Sequence, residues 1–145
     1  MQQTPGVGYL LKRAQSLLHV RMEEALHPYG LTVSHYSCLF RLRTEPGISS
    51  AALARATFVT RQSMNSMLQT LLDRELIERP TRAETGRALP VSLTPRGSEL
   101  LTRVQPLVDD IEQRMLAPLG RTQAAALAAA LVECVAALEE HSARS

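Results

Sequence analysis

The stretch from Thr60 to Leu72, TRQSMNSMLQTLL, holds the residues with the most chemistry to offer. Gln62, Asn65, Ser66 and Gln69 recur at i, i+3, i+4 and i+7. On a helix that spacing makes one polar stripe, with Arg61 and Ser63 beside it near the N-terminus. Met64, Met67, Leu68, Leu71 and Leu72 fall on the opposite side, and no Asp or Glu occurs in the stretch. An amide offers a donor and an acceptor together, the pair adenine shows at its major-groove edge, and an arginine fork matches guanine in the same way. Surface helices usually carry Glu and Lys, and a carboxylate here would repel phosphate. The stripe therefore fits the base edges of double-stranded DNA. Arg82 and Arg87 bracket a turn containing Gly86. An arginine on such a turn can enter the minor groove, where the negative potential is enhanced. Ser49, Ser50 and Thr60 stand at expected helix N-caps, where free backbone N–H groups can bind phosphate.

The surrounding pattern predicts the elements that position this stripe. A first helix over about Val7 to His27 carries Leu11, Ala14, Leu18, Met22 and Ala25 at three- and four-residue spacing, with Leu10 and Leu17 on another side. Pro28 and Gly30 stop it. Thr32 caps a second helix that ends at Pro46-Gly47, and Ser49 or Ser50 caps a short third one. Thr60 caps the fourth, running to about Arg74. The period then changes. Leu76 to Arg79 reads as a short strand, Thr81 to Ala88 as a hairpin loop, and Leu89 to Thr94 as the returning strand, with Pro90 inside it marking an edge position. Thr94-Pro95 opens a fifth helix with a stripe of Leu100, Val104, Leu107, Ile111 and Met115, and Pro106 inside it should bend it. Pro118 to Gly120 breaks that helix, and a sixth carries Leu127, Leu131, Val135 and Leu138. The fold class is mainly α with a small β wing, in the order ααααββαα. Residues 31–94 form a helix-turn-helix lobe with a hairpin. The helices of 1–30 and 95–145 carry more apolar surface than one small core absorbs, so they are expected to pair with a second copy in a homodimer.

Composition narrows the alternatives. The chain has 145 residues and 45% hydrophobic content, which suits one domain and leaves too much apolar material for disorder. Aromatics are 3% and Trp is absent, so Leu, Ala and Val must build the core. Net charge is +2, but between Arg74 and Arg96 five arginines face Glu75, Glu78 and Glu84, so the basic excess lies in and beside the hairpin. No signal-peptide pattern opens the chain, and the uncharged run from Thr122 to Val132 is too short to span a bilayer. A cytoplasmic protein without membrane association is expected. His19, His27, His35 and His141 fall in no HExxH motif, and neither GxSxG nor a P-loop occurs, so no enzyme, cofactor or metal site is indicated. Cys38 and Cys134 form no CxxC pair. A thiol-sensing variant of the fold would use Cys38 with a lowered pKa. A metal-sensing one would build on His35 and Cys38, one turn apart. A winged-helix interaction module that does not bind DNA would lose the amide face and basic hairpin, both kept here.

These residues together resemble the MarR family of transcription regulators, over nearly the whole chain. The resemblance rests on Leu31-Thr32, on Leu53-Ala54 within ISSAALARA, on LLDRELIER, and above all on GRALPVSLTPRG with its close of Leu93, Thr94 and Gly97. It implies a sequence-specific, double-stranded-DNA-binding regulator, a repressor, acting as a homodimer on a pseudo-palindromic operator. The fourth helices would enter successive major grooves and the wing arginines the flanking minor grooves. It also implies a small aromatic or phenolic ligand between the second helix and the dimerisation helices, with Tyr9, Arg13, His19, His35 and Tyr36 as lining residues. In the family's Asp-x-Arg wing pattern Arg87 matches the Arg, while Thr85 stands at the Asp position. Glu75 stands where the family commonly has Gly after the recognition helix. If that position takes a left-handed backbone, Glu costs about 1 kcal/mol there.

Overall fold

The computed structural model describes residues 4–80 and 90–143. The hairpin loop with Arg82, Thr85, Gly86 and Arg87 lies outside the described residues. The chain divides into two compact units, Met1–Asp109 and Asp110–Ser145, so the fifth helix contributes to both.

The first unit is built as expected, with tighter boundaries. Helix α1 spans Val7–Leu26, and a single 3₁₀ turn over His27–Tyr29 follows it. Pro28 sits inside that turn, and the reversal comes at Gly30 with φ of 69°. Helix α2 spans Val33–Thr44, α3 Ser50–Ala56 and α4 Arg61–Asp73. Thr32, Ser49 and Thr60 are the N-caps, each side-chain oxygen accepting the backbone N–H three residues on, at 3.0 to 3.1 Å. Ser50, the other candidate cap, is instead the first residue of its helix. Strands β1, Ile77–Glu78, and β2, Ser92–Leu93, pair antiparallel, Ile77 with Leu93 and Glu78 with Ser92. They are shorter than the alternation indicated. Pro90 precedes β2 rather than lying in it, which is where a residue without an N–H interrupts no ladder bond. Helix α5 spans Pro95–Leu116 and continues through Pro106.

The core of this unit is a set of aliphatic side chains from every element. Leu26, Leu39, Leu53, Met64, Leu68, Leu71, Ile77, Leu101 and Val104 are all nearly inaccessible. Helix α3 packs on α4, α1 on α2, α2 on α3 and β2, and α4 on β1. Polar clamps close the edges. Arg43 on α2 donates to Thr102 Oγ1 at 3.2 Å and to Gln105 Oε1 on α5. Arg74 at the end of α4 donates to the Gly30 carbonyl at 2.6 Å. The second unit holds the end of α5 and helix α6, Arg121–Ala143. Leu127, Leu131, Val132, Val135 and Leu138 of α6 are all exposed in the single chain. The run Arg121–His141 is long and apolar enough to cross a membrane by length and composition alone. That corrects the shorter reading from Thr122 to Val132, because Glu133 interrupts the uncharged run without ending the helix.

Three helices end on the same hydrogen-bonded reversal, with a left-handed residue followed by one bonded back five positions. After the 3₁₀ turn, Leu31 N–H bonds the Leu26 carbonyl and Gly30 N–H that of His27. After α3, Val59 bonds Ala54 and Phe58 bonds Arg55; after α4, Leu76 bonds Leu71 and Glu75 bonds Leu72. Only the first has glycine at the left-handed position. Phe58 and Glu75 take φ of 61° and 59°. The Glu75 departure from the family pattern therefore does fall on a left-handed backbone.

The reversal at Glu75 is locked from the far side of the hairpin. Thr94 Oγ1 donates to the Glu75 carbonyl at 2.6 Å and accepts the Gly97 N–H at 3.0 Å, while Thr94 N–H bonds the Leu76 carbonyl at 3.1 Å. Gly97 is buried, and a Cβ built there would stand 1.9 Å from the Leu76 carbonyl oxygen. Gly97→Ala should therefore destabilise the protein by about 1–3 kcal/mol or more, as overpacking against backbone does. Glu75→Gly should stabilise it by about 1 kcal/mol. Urea midpoints read both, and a neutral Gly97→Ala would contradict the packing.

Candidate nucleic-acid interface

Helix α4 carries its two stripes as the spacing requires. Met64, Met67, Leu68 and Leu71 are buried, whereas Arg61, Gln62, Ser63, Asn65, Ser66 and Gln69 are all exposed. The apolar face is held by the core and sets the rotation of the helix about its axis. The Thr60 cap sets where the helix begins. Arg61 and Gln62 thus stand in its first turn, beside N–H groups left without helical partners and beside the positive end of the helix dipole. Gln69, at the far end, donates to Asp73 Oδ1 at 2.8 Å. Its amide is held in place and keeps its carbonyl oxygen and second N–H.

The electrostatic setting is wider than the stripe alone indicated. No Asp or Glu occurs from Pro46 to Leu72, which covers all of α3, the turn and all but the last residue of α4. Arg55, exposed in the last turn of α3, is a cation that the spacing of the α4 stripe did not reveal. A scan for absent carboxylates, rather than for present arginines, would have found it. Ser49 and Thr60 are exposed or partly exposed caps at two helix starts on this acid-free surface. Arg82 and Arg87, the wing candidates, lie outside the described residues.

The five candidate ligand-lining residues do not converge within one chain. Tyr9 and Arg13 are exposed on α1. Tyr9 lies ten residues from His19, or about 15 Å along the helix. His19 Nε2 is 3.6 Å from Glu23 Oε1, and Glu23 Oε1 also accepts the Val33 N–H at 2.9 Å. Tyr36 is buried and stacks on Phe40, centroids 6.0 Å apart. His35 completes a reciprocal cap: Thr32 N–H donates to His35 Nδ1 at 3.1 Å and His35 N–H to Thr32 Oγ1 at 3.0 Å. Glu or Gln usually fills that place, so the spacing alone did not reveal it. A separate cleft of about 370 Å³ lies among Pro28, Tyr29, Arg74, Leu76, Arg96 and Arg103, and contains none of the five.

Two titratable groups bear on the alternatives. Burial pushes the Cys38 thiol up to about 12, and its side chain is inaccessible. A thiol-sensing role at Cys38 needs the opposite. Among the described residues, no three of His, Cys, Asp and Glu stand close enough together to hold a metal ion. Burial, and then the Arg74 charge, lower the His35 pKa below its ordinary 6.5, against an opposing pull from Glu23. The folded state thus prefers neutral His35, whose Nδ1 must accept the Thr32 N–H. The unfolded chain takes up that proton near pH 6.5, so this contribution is full above pH 6.5 and is lost as pH falls below it. Urea midpoints should drop between pH 7.5 and 5.5, and His35→Gln, which keeps a capping acceptor, should flatten the drop. An unchanged pH slope in the variant would assign the loss elsewhere.

The comparisons agree with this geometry. The MarR family model matches residues 29–88, which span the helix-turn-helix and most of the hairpin. The HTH-type transcriptional repressor Rv2887 of Mycobacterium tuberculosis is 42% identical over 117 residues, 81% of this chain and 84% of that protein. Two crystal structures of the M. tuberculosis MarR family protein Rv2887 share 37% identity with this chain. The complex with salicylic acid matches with a TM-score of 0.75, over 92% of this chain and 99% of that one. The complex with DNA matches with a TM-score of 0.74, over 90% and 98%. With its helix order, its two-stranded wing and the threonine–glycine lock behind the fourth helix, the chain belongs to the MarR family.

Proposed function

We propose that this chain is a sequence-specific regulator of transcription, a repressor, that binds a pseudo-palindromic operator as a homodimer. The observation that carries the reading is the exposed, carboxylate-free face of α4: Arg61, Gln62, Asn65, Ser66 and Gln69 on a helix whose other face is sealed into the core. Such a helix enters the major groove with its N-terminal residues foremost. Ser49, Ser50, Thr60 and Ser63 then meet phosphates, and Arg82 and Arg87 reach the flanking minor grooves. The helices of 1–30 and 95–145 form the dimer. This is supported by exposed Val7, Leu10, Leu11, Leu17 and Val20 on α1 and by the apolar residues of α6, which a single chain leaves in water.

A small aromatic acid modulates the dimer. The support is the salicylic acid bound by the 37% identical relative. Tyr9, Arg13, His19, His35 and Tyr36 remain the candidate lining. A ligand acts by favouring one spacing of the two reading heads over the other, and its leverage equals its differential affinity for the two.

Selection from a random duplex library should return two related half-sites about one helical turn apart. Affinity for the selected site should fall steeply as salt rises, with a log–log slope of about −0.9 per neutralised phosphate. No enrichment over random duplex at moderate salt would end the reading. Gln62→Ala and Asn65→Ala should change sequence preference, whereas Arg87→Ala should weaken all sites alike. Identical profiles for the three would remove the assigned roles. Light scattering at micromolar concentration should give a dimer mass, and a monomer would leave the apolar helices unexplained.

A further inference from the structure

We propose that Phe58, at the turn between α3 and α4, contacts the operator directly, its ring packing on a thymine 5-methyl group at the edge of the groove that α4 reads. The proposal rests on the DNA-reading role of α4 given above. Phe58 is 95% exposed. It is the only large hydrophobic so exposed among the described residues of the 31–94 lobe; the others lie on α1, the end of α5 and α6. It also holds the left-handed position of the α3 reversal, with φ of 61°. Glycine would occupy that position without strain, and Asn with little. Folding thus gains nothing from the ring and is opposed by the backbone it requires. Both costs fall at one residue, and that residue is two positions before the Thr60 cap, at most about 7 Å of chain from the start of the recognition helix.

The surroundings identify the occupant. Arg55 and Arg61 flank the turn, both exposed, and the nearest carboxylates in sequence are Glu45 and Asp73. An apolar ring with cations on either side and no carboxylate between Glu45 and Asp73 in the chain suits a polyanion that also presents apolar groups. Duplex DNA presents one such group in the major groove, the methyl of thymine, which cytosine, adenine and guanine lack. The amide stripe cannot read that methyl, because it neither donates nor accepts a hydrogen bond. Phe58 would therefore supply what the polar residues of α4 leave unread.

The test compares the wild-type protein, Phe58→Gly and Phe58→Asn on the operator recovered by library selection, and on copies with deoxyuridine in place of single thymines. Deoxyuridine removes the methyl and keeps base pairing. Both variants should fold, with melting temperatures equal to or above that of the wild type, since each relieves the backbone. Both should bind the all-thymine operator about tenfold more weakly. One deoxyuridine position per half-site should weaken the wild type several-fold and leave the variants unaffected. Wild-type affinity in the variants overturns the proposal. So does a weakening that no deoxyuridine position reproduces, because the ring would then act on something other than thymine. Failure of the wild type to select any duplex would instead overturn the role of α4, a result separable from the first two.

Discussion

The architecture depends on one close approach, that of Gly97 to the Leu76 carbonyl. The start of α5 lies directly on the backbone that leaves α4, with no room for a side chain between them. Thr94 makes that approach productive, donating its hydroxyl proton to Glu75 and accepting from Gly97 while its own N–H meets Leu76. Four backbone groups, those of Leu76 and Gly97 on buried residues, are satisfied by one residue and its neighbours, and an unsatisfied group in a buried place is costly. Through this lock the end of the recognition helix, the base of the wing and the start of α5 share one set of coordinates. Arg74 extends it by gripping the turn after α1 through the Gly30 and Tyr29 carbonyls. The exposed ion pairs contribute far less. Glu75–Arg96, Arg21–Glu24 and Arg114–Asp110 all stand in water, where such pairs are worth little.

Much of this was legible before any coordinates, and the parts that were not share a cause. Thr32, Ser49 and Thr60 announce helix starts because capping is local chemistry between a side chain and the backbone three residues on. The two stripes of α4 were legible for a similar reason, since burial follows a fixed period. The helix ends at Phe58 and Glu75 were harder. A left-handed residue is visible in sequence when it is glycine, as at Gly30, and is hidden when tertiary packing imposes it on another side chain. Glu75 was suspected only because the family pattern has glycine there. His35 was read as a ligand-lining residue because its ring suits that role, and its second part, as the cap three residues after Thr32, was not legible because Glu or Gln usually fills that place. Gly97 was recognisable as part of a motif, but the contact that demands it is made with a residue 21 positions earlier, which no local reading supplies.

The division of chemistry over the surface follows the division of labour. From Pro46 to Leu72 the chain carries no carboxylate, while acids resume at Asp73 and Glu75 as soon as the recognition helix ends. Polar residues on the reading face are uncharged except for arginine, so they can meet bases at short range without repelling the phosphates beside them. Burial silences the Cys38 thiol, which leaves the helix-turn-helix without an exposed thiol among its described residues. In the proposed complex, specificity and affinity would fall to different groups: amides and apolar contacts for the bases, helix starts and guanidinium groups for the backbone.

Helix α6 has 23 residues, and those of its side chains that are described find almost no cover within their own chain. In proteins most of a helix's stability comes from packing of its apolar face rather than from propensity. Packing of the apolar residues of α6 would therefore add to its order, and in the proposed dimer that cover is a second copy. Ordering and association are then one equilibrium governed by mass action. In the proposed dimer the amount of competent reading head would rise more steeply than the amount of chain, and dilution alone would lower occupancy of the operator.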